Sequence, residues 1–146
     1  MATRRGLQRS GPHVKLERDI SRRLGDEFQI DFFESVLKHD PDNIEILIQL
    51  GDLYARLGRI RDSLRIDLRL VSLCPQEKVF HYNLACSYSL LGDIDSALLA
   101  LEKALLLGYD DIEQIENDSD LGNLRRDERF QCLIRRHFRR ESKKKN

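Results

Sequence analysis

The sequence predicts an all-α fold, an α-solenoid in which antiparallel helix pairs stack one beside the next. Three observations predict it. Apolar residues recur at helical spacing in segment after segment. The stretch from Ile44 to Asp111 reads as two copies of one helix–turn–helix unit, offset by 34 residues. In that register Leu50-Gly51 lies over Leu84-Ala85, Tyr54 over Tyr88, Gly58 over Gly92, Ser63 over Ala97 and Leu70 over Ala104. Finally, Pro41 and Pro75 share the same offset and close successive units.

Taken in order, residues 1–12 are poor in apolar side chains and read as a basic, disordered arm. From His13, Leu16, Ile20 and Leu24 mark a weak helix face, and Gly25 is expected to stop it. Glu27 to His39 is a second helix with the stripe Phe28, Phe32, Phe33, Val36, Leu37, ended by Asp40-Pro41-Asp42. Residues 13–42 thus read as a divergent first unit, because Glu17 stands where a small residue is wanted.

Residues 43–76 form the first full unit. Its first helix, Asn43 to Leu57, turns Ile44, Leu47, Leu50, Gly51 and Tyr54 inward. Gly51 marks a close approach of the two helices, where a side chain would act as a wedge. Gly58 makes the turn to Ile60–Leu73, whose Asp67 is a polar intruder among apolar positions. Residues 77–110 repeat the scheme, with Glu77–Leu91, the turn Gly92-Asp93, and Ile94–Leu107 ahead of Gly108. After that the period fails. Residues 111–134 are expected to cap the stack, ending in a helix from Arg126 to Phe138 that carries Phe130, Leu133 and Ile134. Such a cap is needed because the last helix would otherwise leave an apolar face in water. Residues 135–146 read as a basic tail beyond the helical domain 13–134.

The charge is uneven. The chain of 146 residues is formally neutral, yet residues 1–25 carry +5 and residues 135–146 carry +6, leaving −11 for 26–134. Basic ends on an acidic body are ordinarily solvated tails. The sharper alternative is a grip on nucleic acid, weakened by the lack of interleaved aromatic residues in Arg139–Asn146. No apolar run approaches the ~18 residues that cross a bilayer, so no membrane partner is expected. Met1 to Gly6 bears charge with no apolar stretch behind it, unlike a secretory leader. Cys74, Cys86 and Cys132 are too few and scattered for a disulfide framework, so free thiols in the cytoplasm are expected.

The small, aromatic, glycine and proline positions that agree twice in register resemble the tetratricopeptide repeat. The run from Asp120 to Leu133 resembles the segment that covers the end of many such arrays. The resemblance implies a right-handed superhelix whose first helices line a concave face, where a peptide or a partner's helix docks. Mapped onto this chain, the family's groove positions are Glu45, Ile48, Gln49, Asp52 and Arg56 on one helix and Val79, Tyr82, Asn83, Cys86 and Ser89 on the next. The resemblance does not name a ligand. The variant that clamps chaperone C-termini wants cations and asparagines; Asn83 matches, but Ile48 and Asp52 stand where it needs lysine and asparagine.

Catalytic patterns are missing from the sequence. His13, His39, His81 and His137 are far apart, and His81 reads as a packed helix residue. Cys86 has no base placed beside it and reads as a small apolar group. The acids Glu116, Asp118, Asp120 and Asp127 fall at calcium-loop positions, but Gly122 is one place late and the last acid is not Glu, which favours helix capping. The chain is therefore expected to be no enzyme, with no cofactor and no metal. It reads as a protein-interaction module, an adaptor or co-chaperone-like scaffold, monomeric or weakly self-associating. Glu45 and Asp52 beside Ile48 and Tyr82 would suit a basic or amphipathic segment.

Overall fold

In a computed structural model, residues 12–144 are described, with side chains from Lys15 to Arg139. The described chain runs through eight α-helices: α1 Pro12–His39, α2 Ile44–Arg56, α3 Ile60–Leu73, α4 Lys78–Leu90, α5 Ile94–Leu106, α6 Ile112–Asn117, α7 Gly122–Arg125 and α8 Glu128–Lys144. A 3-10 turn, Ser119–Leu121, joins α6 to α7. No strand occurs among the described residues. The helix pairs α2/α3 and α4/α5 pack within themselves, and α3 packs on α4, so the expected all-α stacking is what forms.

The turns explain the repeat. Gly58, Gly92 and Gly108 are the residues with positive φ among those described, at 72°, 79° and 94°. Each lets the next N–H turn back onto the helix it ends. Arg59 N donates to Tyr54 O at 2.9 Å, Asp93 N to Tyr88 O at 3.0 Å, and Tyr109 N to Ala104 O at 2.9 Å. Tyr54 and Tyr88 thus hold equivalent places in successive hairpins. Helix starts are capped by short polar side chains: Asn43 Oδ1 accepts from Ile46 N, Asp93 Oδ1 from Ser96 N and Asp111 Oδ1 from Gln114 N. Gly51 sits where α2 and α3 touch; a Cβ there would lie 3.1 Å from Ile66 Cγ2.

Two corrections concern the ends. Gly25 does not stop a helix: α1 runs through it unbroken for 28 residues. The reason is register. The apolar series Leu16, Ile20, Leu24, Phe28, Phe32 keeps its i+4 step across Gly25, so nothing on either side asks for a turn. A glycine inside a helix costs only about 1 kcal/mol against alanine. The second correction is the tail: α8 continues to Lys144, so the basic residues after 134 extend a helix. The arm 1–12 lies outside the described residues except Pro12, which opens α1 and whose missing N–H suits a first helical position.

The core has two parts. Ile30 of α1 joins Leu47, Leu50, Leu53, Tyr54, Ile66 and Leu70, with Phe33 and Leu37 packed against them. Tyr54 Oη donates to Glu34 Oε1 at 2.5 Å, tying α1 to α2. The larger part is built on α4 and α5 and is closed by Ile115, Leu121, Leu124 and Phe130 of the cap. Ile44 and the stripe residues Phe28 and Phe32, expected inside, are exposed. His81 is half-buried and its Nε2 lies 2.9 Å from Pro75 O, so it ties a helix to the preceding turn.

Candidate functional site

A cleft of about 230 Å³ opens between the two full hairpins and the cap. Ile48, Asp52 and Ala55 of α2 form one wall, and Ile60, Ser63 and Asp67 of α3 the floor. Phe80, Tyr82, Asn83, Cys86, Ser87 and Leu90 of α4 face them, and Gln114, Asp118 and Asp120 close the end. Four aspartates line the cleft, and among the described residues no lysine, arginine or histidine does.

Five of the ten groove positions meet here: Ile48, Asp52, Tyr82, Asn83 and Cys86. Glu45, Gln49, Arg56 and Val79 are exposed but stand outside its walls. Arg56 reaches back to α1, with Nη2 3.7 Å from Asp26 Oδ1. Ser89 turns the other way. It is fully buried, its carbonyl accepts from Asn123 Nδ2 at 2.9 Å, and its Oγ accepts from Leu124 N at 3.2 Å. It is the peg on which the cap hangs.

The most unusual group is Asp67. It is buried, and its Oδ2 accepts a hydrogen bond from Ser87 Oγ at 2.6 Å. Burial pushes its carboxyl up from 3.8 to about 6; the Ser87 bond opposes this and the charge of Asp52 adds to it. The polar intruder seen in the sequence is therefore a carboxyl at the joint between the two full repeats.

At the far end Tyr82 Oη donates to Asp118 Oδ2 at 2.7 Å, and its ring stacks on Tyr109 at 4.3 Å. Burial, then the bond to Asp118, raises the Tyr82 hydroxyl. Cys86 Sγ lies 3.9 Å from the same Asp118 oxygen. Burial, then Asp118 and Asp120, pushes its thiol well up, so at neutral pH it is protonated and a poor nucleophile. Asp120 is raised by burial, then by Asp118. Cys86, Asp118 and Asp120 bring three potential ligand atoms within 4.8 Å of one another, the donor set that could hold a divalent ion. The acids of the calcium-like run have other work. Asp118 Oδ1 accepts from Asp120 N, and Asp127 binds Arg129 through both its oxygens.

Sequence reasoning missed Asp118, Asp120, Gln114 and Ser87 because they reach the cleft through the cap or across a repeat joint. Asp67 was flagged but not placed; its signal was a carboxylate at an apolar position, with a serine 20 residues on.

A family model described as Tetratricopeptide repeat matches residues 80–107, which span most of α4 and all of α5. Over 62 residues the chain is 44% identical to a chloroplastic protein of Arabidopsis thaliana, covering 42% of this chain and 18% of that protein. It is 32% identical over 74 residues to Superkiller protein 3 of Saccharomyces cerevisiae, covering 51% of this chain and 5% of that protein. The chain thus spans less than a fifth of the length of either relative.

Proposed function

The chain contains tetratricopeptide repeats, which generally mediate protein–protein interaction, and on that premise we propose that it is an adaptor that grips a basic, amphipathic segment of a partner. One observation carries the reading. The cleft gathers Asp52, Asp67, Asp118 and Asp120, with no cation among the described residues that line it, between the apolar side chains of Ile48, Phe80 and Leu90. Carboxylates held this close leave uncompensated negative potential in a partly desolvated hollow. A lysine or arginine head inserted there neutralises it, while its stem and an adjacent apolar residue cover the rim. That the chain works in the cytoplasm and is no enzyme belongs to the same proposal and rests on the sequence.

The test is fluorescence anisotropy on labelled amphipathic peptides of alternating Arg and Leu, with Glu in place of Arg as the control. The intact chain should prefer the basic set. Asp52→Lys should weaken it at least ~10-fold, about 1.4 kcal/mol, mostly through slower association, since Asp52 is exposed. Equal affinity for both peptide sets, or no change in the variant, removes the basis of the reading.

A further inference from the structure

Outside the cleft, the largest unanswered feature is a ridge on α1. Leu16, Ile20, Leu24, Phe28 and Phe32 step along it at i+4, each between 49% and 73% exposed. They span 16 residue steps, about 24 Å of helix. The other side of α1 is already committed to α2 through Ile30, Phe33 and Leu37. In the two later units a glycine at the turn sends the second helix back over the first. At Gly25 the chain goes straight on. Apolar groups that a hairpin would have pressed together, Leu16 on Phe32 and Ile20 on Phe28, are instead laid out along one winding i+4 row centred on Leu24.

We infer that this ridge is completed by a second copy of the chain, the two α1 helices packing antiparallel with their two-fold axis at Leu24. Leu24 of one copy then lies on Leu24 of the other and Ile20 on Phe28, with Leu16 and Phe32 at the margins, because each i+4 step turns the row by about 40°. Each copy supplies the other with the first helix its own N-terminal unit lacks, an exchange of identical elements that needs little new surface design. Ridges on i+4 rows interlock with one another at a helix crossing. Charge fixes the direction. Residues 15–24 carry a net +2 through Lys15, Arg18, Arg22 and Arg23, whereas residues 25–34 carry −4. Of those acids, Asp26 faces Arg56 and Glu34 faces Tyr54, leaving Glu27 and Asp31 exposed. Antiparallel order about Leu24 sets the basic half against the acidic half and brings Arg22 and Arg23 towards Glu27, while Glu17 faces Asp31; parallel order sets like on like along the whole ridge.

Sedimentation equilibrium on the full chain tests this. A monomer–dimer equilibrium is expected, and Leu24→Asp with Phe28→Asp should shift it to monomer without altering helix content by circular dichroism. In a Cys132→Ser background, Leu24→Cys should form a disulfide-linked dimer on mild oxidation. Mixing an Ile20→Cys chain with a Phe28→Cys chain should crosslink the two. A monomer up to about 100 μM, a dimer indifferent to the aspartates, or a Leu16→Cys/Phe32→Cys double variant that closes within one chain would each overturn it.

Discussion

Asp67 offers the sharpest energetic test. Replacing it by Asn keeps the size and an acceptor for Ser87 Oγ, which donates to Asp67 Oδ2 at 2.6 Å, while removing the charge. In the folded chain the carboxyl protonates at about 6 instead of 3.8, so between those values the native state holds a proton that the unfolded state has released. Stability therefore falls as pH rises through that window. The loss is absent below 3.8 and complete above 6. At 1.36 kcal/mol per pH unit of difference it comes to about 3 kcal/mol. Urea unfolding of both proteins across the pH range reads the effect directly, since every other titrating group is shared and cancels in the difference. Asp67→Asn should match the parent at acid pH and gain on it steadily, becoming ~2–3 kcal/mol more stable at neutral pH. A pH-independent difference, or a variant less stable at neutral pH, refutes the argument that a charge is held here against its solvation.

Three other outcomes follow from the same structure. Affinity for a basic peptide should rise across roughly pH 5 to 7 as Asp67 loses its proton, and Asp67→Asn should flatten that profile; isothermal titration at several pH values reads it. Gly51→Ala should destabilise by about 1 kcal/mol despite better helix propensity, because its Cβ would lie 3.1 Å from Ile66 Cγ2; adding Ile66→Leu, which lacks that Cγ2 methyl, should recover part of the loss in a double-mutant cycle. Ser89→Ala should cost ~1–3 kcal/mol, since the buried Leu124 N–H loses the acceptor it now has at 3.2 Å, and amide exchange at Leu124 should accelerate.

What the sequence disclosed and what it hid have physical reasons. The hairpins of α2 to α5 could be read because close packing, a left-handed turn residue and a proline each restrict residue type locally, and all recur at one interval. Gly25 misled because the same residue serves a turn or sits idle in a helix; the unbroken i+4 register across it was the better guide. Five of the 17 residues that line the cleft fall at groove positions that follow from helix phase. Ser89 was assigned to the groove by that phase and is instead covered by the cap, a contact between residues 34 and 35 positions apart. Asp118 and Asp120 could be read as caps but not as cleft walls, since that depends on how the cap folds back on α4.

The cleft exists only because the array stops where it does. Its far wall belongs to the closing segment, which supplies Asp118 and Asp120. Splicing one more hairpin in after α5 would leave a sound, longer spiral while carrying those two carboxylates a full unit away from Asp52 and Asp67. Array length is thus part of the binding chemistry: protein engineers who lengthen this scaffold should expect the hollow to vanish even as the fold persists.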